Sequence, residues 1–266
     1  MTIVPDVMLS MDEIVKRVRL TPPGNALKDI EEKPSKYTIL SHRFTAFQRD
    51  NVKRFLFCGT AIKENKLCRI VGFSNNCKEF KKLEEIGSFS NLSLRNMMTT
   101  TDEVRLLLNT EIKMDNRKKT KLADIIPTLT RTPLKTIVSN SGIFVSSSLR
   151  CSKFFNRSDK PVFTCCGFCH SATPCSICPP ETPETIDCSF IATFTDDSSF
   201  EKGFYINLKS LSVMLSHTEL STANILATEP LETIHKLIDI NCRYILFVNN
   251  YRDKLYLELL TRDDIN

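Results

Sequence analysis

Cys165-Cys166-Gly167-Phe168-Cys169-His170-Ser171-Ala172-Thr173-Pro174-Cys175-Ser176-Ile177-Cys178 gathers five of the chain's eleven cysteines into fourteen residues. It reads as two C-x-x-C knuckles, Cys166/Cys169 and Cys175/Cys178. In such a knuckle two thiolates reach one ion at ~2.3 Å while a small residue lets the backbone turn, and two knuckles complete a tetrahedral set. Gly167 supplies the turn. The expectation is one structural Zn²⁺, because a closed four-sulfur shell leaves no position for water and so no Lewis-acid chemistry. Only five residues separate the knuckles, so Cys165, Cys151 or His170 stand as alternative ligands. A redox dithiol would need one C-x-x-C at a helix N-terminus, and the prolines beside Cys178 argue against a helix there. Cys58, Cys68, Cys77, Cys188 and Cys242 lie in apolar patterns and read as small core residues.

Downstream of the block, Ile186–Phe194 and Phe200–Asn207 read as a hairpin across Asp196-Asp197-Ser198-Ser199. Short helices follow at Leu208–Leu215 and Leu231–Ile238, then a hairpin of Cys242–Asn249 and Lys254–Leu260 across Asn250–Asp253. Upstream, Leu134–Leu149 reads as a first strand region, so the cysteine block, at about residues 151–180, interrupts a barrel between its first and second strands. Further upstream the strands Tyr37–Phe47, Lys53–Ile62 and Lys66–Phe73 are followed by an amphipathic helix at Asn75–Ile86 and by strands Ser88–Met97 and Glu103–Met114. Three strands, a helix and two strands is the order of an OB-fold, a small five-stranded barrel. The fold expected is therefore mostly β with short helices: two tandem OB-fold barrels at 35–115 and 134–266, the second carrying the inserted four-cysteine zinc ribbon. A basic linker at 116–133 joins them, marked by Arg117–Lys121, Pro127 and Pro133. Residues 1–34 hold an amphipathic helix, with Met8, Met11, Ile14, Val15 and Val18 on one face, ended by Thr21-Pro22-Pro23-Gly24.

The 266 residues, 41% hydrophobic and 25% charged, suit two globular domains. No apolar run approaches the ~18 residues of a membrane helix, and Met1–Ser10 lacks a secretory pattern, so an intracellular protein with reduced thiols is expected. The net charge of +5 is unevenly placed. From Lys33 to Arg69 nine Lys/Arg face two acidic residues, whereas Glu181 to Glu201 holds six acidic residues and no Lys or Arg. That polarity suits a polyanionic partner for the first half. No G-x-S-x-G, G-x-x-x-x-G-K-[ST] or H-E-x-x-H is present, so an enzyme is not expected.

The placed ribbon resembles a known family, the replication protein A large subunit and its meiosis-specific OB-fold relatives. In that family's third DNA-binding domain a four-cysteine ribbon interrupts the barrel between its first two strands, as Cys166, Cys169, Cys175 and Cys178 would here. The second knuckle leads through Pro179 and Pro183 into Cys188–Phe194. Phe55–Met114 resembles the preceding domain, in which a strand ending in an aromatic opens onto the helix, here Arg69-Ile70-Val71-Gly72-Phe73. The resemblance implies a nuclear, single-stranded DNA-binding protein of replication, recombination, meiosis, repair or telomere maintenance, partnered by other OB-fold or genome-maintenance proteins, with DNA or RNA as the strand. Three features depart from the family. Tryptophan is absent, Thr99-Thr100-Thr101 stands where a second stacking aromatic is expected, and a C-terminal partner-joining helix does not follow the second barrel, so heterotrimer-like assembly is not expected.

Single-strand binding uses aromatics to stack bases and Lys/Arg to neutralise phosphates. The candidates are Phe73 for stacking with Lys53, Arg54, Lys66 and Arg69 for phosphate, and Phe204 and Tyr205 in the second barrel. The alternative for Phe73 is barrel core. The alternative function is a protein-interaction scaffold with little intrinsic nucleic-acid binding.

Overall fold

The computed structural model describes residues 30–31, 33–49, 51–74, 89–100, 103–115, 120–171, 173–216, 218, 221–238, 242–251 and 254–263. The helices expected at Met8–Val18 and Asn75–Ile86 lie outside these. Among the described residues no helix is long and apolar enough to cross a membrane. The protein is mostly β.

The first half forms β1 Ile30–Glu31, β2 Ser35–Arg49, β3 Val52–Lys63, β4 Lys66–Ser74, β5 Asn91–Thr99 and β6 Glu103–Asp115. Alternation drives it. In β4, Cys68 and Ile70 face a buried core while Leu67, Arg69, Val71 and Phe73 face outwards, the two-residue period of a strand. β3 and β4 turn on Glu64 and Asn65, both left-handed at φ 51° and 62°, which gives a two-residue turn the twist of the strands it joins. β2 pairs β3, β3 pairs β4, and β5 pairs both β2 and β6. A short parallel ladder from Arg69↔Glu103 to Gly72↔Leu106 brings β4 to β6, so the sheet bends into a partly closed ring. Gly59 pairs His42, just past the irregularity in β2 between Ile39 and Ser41, and a Cβ on it would stand 3.0 Å from the Ser41 carbonyl oxygen. The ring can bend tightly there because glycine has no side chain.

The second half comprises α1 Leu122–Ile125 with a 3₁₀ turn at Ile126–Thr128, β7 Arg131–Thr132, α2 Leu134–Ser139, β8 Gly142–Ser146, β9 Leu149–Asn156, β10 Val162–Cys166, β11 Glu184–Cys188, β12 Phe190–Thr195 and β13 Glu201–Ile206. It continues with α3 Leu208–Met214, α4 Thr222–Thr228, α5 Leu231–Leu237, β14 Arg243–Tyr251 and β15 Lys254–Arg262. The main sheet runs β13-β12-β9-β14-β8-β7, with β15 on β14, and β10 and β11 make a separate hairpin. Asn207 starts α3, its side chain accepting from the Ser210 N–H at 2.9 Å, as an N-cap should. The helices and the last hairpin expected after residue 186 are present and α4 is additional, but Ile186–Phe194 is not one strand: it breaks at Ser189, with Ile186 pairing Thr164 of β10 and Phe190–Thr195 pairing β13.

Two segments differ from the sequence reading. Leu134–Ser139 is a helix and not the start of a strand; Leu134 and Ile137, three residues apart, are both fully buried. Buried Asn250 donates to the Ile137 and Val138 carbonyls at 2.9 and 3.2 Å, so the end of α2 is satisfied by β14. The stretch before it, read as a linker, is packed from residue 120 onwards. Ile125, Ile126 and Leu129 share a buried cluster with Leu40 and Ile62 of the first sheet and Val145, Ile245, Phe247 and Leu259 of the second. Prolines and charges give the segment a loop's composition, but three apolar residues make it the filling between two sheets.

Candidate metal centre and nucleic-acid interface

β10 and β11 pair in register from Val162↔Cys188 to Cys166↔Glu184, and the knuckles hang from the Cys166 end of this hairpin. After Cys166 the chain reverses. The His170 N–H donates to the Cys166 carbonyl at 2.9 Å, the Cys166 N–H donates to the Ser171 carbonyl at 2.9 Å, and the Gly167 N–H donates to the Pro183 carbonyl at 2.8 Å. A Cβ on Gly167 would lie 2.7 Å from that same Pro183 oxygen, so glycine is required for the two ends of the ribbon to meet. In the second knuckle the Cys178 N–H points at the Cys175 sulfur, 3.4 Å away.

The Sγ atoms of Cys166, Cys169, Cys175 and Cys178 all lie within 4.8 Å of one another, and Cys169 and Cys175 are 3.7 Å apart. Zinc–sulfur bonds of ~2.3 Å put tetrahedral ligands about 3.8 Å apart, so this donor set fits the ion expected. Its electrostatics fit too. Hydrogen bonding from Cys178 pushes the Cys169 thiol down to about 4, while the shared proton raises Cys178 and burial raises Cys166. Thiols this crowded cannot all ionise unaided, and a divalent cation among them lets all four do so. The alternative ligands stand elsewhere. Cys151 is buried in β9 with its sulfur 3.5 Å from the Lys153 carbonyl, and Cys165 and His170 belong to a different group of donors.

The ribbon packs on the first half, although it is inserted in the second. Cys166, Phe168, Cys169 and Cys178 belong to the buried cluster of the first sheet, with Tyr37, Phe44, Phe55 and Ile70. The Phe168 ring stacks on Phe44 at 4.9 Å and 22°, and meets Phe55 edge-on at 6.2 Å.

The nucleic-acid candidates separate into groups. Phe73 faces outwards on β4, half-buried against Phe47 and Leu56, with the Arg54 guanidinium 5.7 Å from its ring. Lys53 is exposed beside Arg54, at the Phe73 end of the β3–β4 pair. Lys66 is exposed at the other end, opposite Lys63. Arg69 sits where the two halves meet, donating to Asn249 Oδ1 at 2.7 Å and lying 3.7 Å from Glu103. Phe204 points inwards, 2% exposed, against Phe194. Tyr205 points outwards, 53% exposed, with the Arg157 guanidinium 4.3 Å from its ring.

Phe155 and Arg157 were not among the sequence candidates. Phe155 is 43% exposed on β9, and the registers Phe155↔Ile191 and Ile191↔Tyr205 set Phe155, Ile191 and Tyr205 in one row across three strands. The next row is Lys153, Thr193 and Gly203. Its glycine leaves the sheet low beside the row of rings. The alternation of Leu149 and Cys151 (buried) with Arg150 and Ser152 (exposed) marks the strand, but Cys151 drew the segment into the cysteine block.

No family model matches the chain, and no curated protein matches it in sequence. Among solved structures it is similar to the Ifi202 HINa domain in complex with 20bp dsDNA (10% identity, 88% of this chain and 97% of that chain, TM-score 0.37). It is also similar to a Replication Protein A heterotrimer bound to ssDNA (7%, 88% and 66%, TM-score 0.36) and to the p204 HINb domain (8%, 87% and 97%, TM-score 0.36). What those proteins bind belongs to them.

Proposed function

We propose that the chain is a non-catalytic, replication protein A-like protein that binds single-stranded nucleic acid, built of two OB-type barrels with a structural zinc in the ribbon of the second. The observation that carries this is the row Phe155–Ile191–Tyr205 with Arg157 over Tyr205. It puts two exposed aromatics and a cation on one face of a three-stranded sheet. Strands ~4.8 Å apart set the two rings about 10 Å apart at their backbones, wide enough for a base on each. Base stacking is sequence-tolerant and Arg157 can meet the phosphates between, which is how single strands are held without reading their sequence.

The first ring contributes at Phe73, Arg54 and Lys53. Arg69 lies at the junction of the halves instead, so the first ring's share of phosphate binding is smaller than its charge suggests. The ion in the ribbon holds a loop in place and takes part in no reaction. Nuclear genome maintenance (replication, recombination, repair or telomere upkeep) and other OB-fold partners follow from the same reading.

Anisotropy with labelled oligo-dT tests it. Stacking is worth about 1–3 kcal/mol per base, so Tyr205→Ala and Phe155→Ala should each weaken binding at least five-fold. Phe204→Ala should act only through stability. Binding that neither outward substitution changes, or that is as tight for a duplex, would refute the reading. The scaffold reading is favoured by one observation: Leu40, Ile62 and Arg69 of the first ring are taken up by contacts with the second half of the same chain. It predicts that oligo-dT is not bound at all.

A further inference from the structure

Strand alternation puts Cys165 and Cys166 on opposite faces of the β10–β11 hairpin, and on the Cys165 face a second group of donors converges. Cys165 Sγ and Asp187 Oδ2 each lie 3.8 Å from His170 Nδ1, and the three atoms lie within 4.8 Å of one another. They come from three segments: β10, the left-handed residue (φ 55°) that closes the first knuckle, and β11.

Two ordinary explanations fit poorly. The His170–Asp187 separation exceeds hydrogen-bond length, for which N···O is about 2.7–3.2 Å. A nucleophile relay needs the carboxylate on one ring nitrogen and the thiol on the other, whereas both approach Nδ1 here, and Cys165 is fully buried. Convergence on one nitrogen is what a shared ion requires. Bonds of about 2.0–2.3 Å to oxygen, nitrogen and sulfur separate neighbouring ligands by more than a hydrogen bond. Asp187 is already aimed. Its Oδ1 accepts the Cys188 N–H at 2.7 Å and the Leu208 N–H at 2.9 Å, which fixes the carboxylate and turns Oδ2 to the other two donors, the support that metal-binding carboxylates need.

We propose that Cys165, His170 and Asp187 form a second binding site, separate from the four cysteines, for a zinc-class divalent cation. One sulfur, one nitrogen and one oxygen suit a borderline ion and not magnesium or calcium, which take oxygen alone. Three protein ligands leave a fourth position, and the 52% exposure of the His170 side chain opens that position to water.

The test is metal analysis of the full chain after dialysis against excess Zn²⁺ and removal of free ion. His170→Ala and Asp187→Asn should each lower the Zn content by one ion per chain relative to the parent, with unchanged far-UV circular dichroism. Cobalt gives a second readout: the parent spectrum minus that of His170→Ala should be that of a mixed S/N/O ion, weaker in thiolate charge-transfer bands than the four-sulfur site. Because His170 is on the surface, its replacement leaves the fold intact. An ion count that His170→Ala leaves unchanged overturns the site, whatever the four cysteines hold.

Discussion

His42 shows what one buried side chain does to the whole chain's response to acid. Its ring stacks on Phe57 at 5.7 Å, inclined by 29°, and lies edge-on to Phe44 at 5.8 Å. Burial, with the Lys209 ammonium of α3 as a second cause, pushes its pKa down to about 4 from 6.5. The unfolded chain takes up this proton near 6.5 and the folded chain only near 4. Stability is therefore undiminished by this group above about pH 6.5 and falls as pH drops from there to about 4, by up to roughly 3 kcal/mol at 1.36 kcal/mol per pH unit. Denaturant titrations across that range should show the loss, and His42→Asn should flatten it; an unchanged acid limb in the variant would show that other groups carry it. Phe204 and Tyr205 make a second residue-scale point. The sequence presents two adjacent aromatics, and the pleat sends one to the core and the other to solvent. Choosing between them needs the strand's inward parity, which Phe190, Ala192 and Phe194 of the paired β12, all fully buried, supply only once the register is known.

Among the elements, the β10–β11 hairpin joins two kinds of chemistry to one packing role. Its knuckles hold the sulfur set, and the Phe168 ring within the first of them completes the aromatic cluster of Phe44 and Phe55. Truncating a buried Phe costs about 3–5 kcal/mol, so Phe168→Ala should destabilise the β2–β3 pair although it lies in neither strand. With zinc in the ribbon as proposed, a chelator should do the same by releasing the ring. Hydrogen exchange at residues 44–57 reads both, and protection there that survives chelation would refute the coupling. The convergence of the ribbon's four cysteines and its place before a strand are legible in the sequence because C-x-x-C spacing and Gly167 are local signals. Its docking is not, because the partner residues lie over a hundred positions upstream. The same reasoning covers the strands: β3 and β4 show in the alternation of Phe55, Phe57, Cys68 and Ile70, whereas β9 was hidden by its cysteine and α2 by the β-branched residues Thr136, Ile137 and Val138.

Across the whole molecule, the cluster of Leu40, Ile62, Ile125, Ile126, Leu129, Val145, Ile245, Phe247 and Leu259 belongs to both halves. Halves that share a core lose it together, so the metal-replete protein should unfold in urea in one transition, coincident by circular dichroism and by hydrogen exchange in each half. Two separated transitions would show that the shared cluster is weak. Ile126→Asp, which buries an unpaired charge there, should lower the midpoint in both halves. Charge distribution misleads at this scale. The basic first half suggests where a polyanion would lie, yet Arg69 hydrogen-bonds Asn249 and Arg43 lies over the Tyr256 ring at 5.8 Å, while exposed aromatics gather on the half with the acidic run. Finally, the position of Phe168 sets an order of events during synthesis. The ribosome releases β2–β6 before it has made the ring that fills their aromatic cluster. At about 5–20 residues per second the wait from Asp115 to Phe168 is several seconds. Throughout that interval the nascent first half lacks the ring that covers Phe44 and Phe55, which stay uncovered until the ribbon emerges.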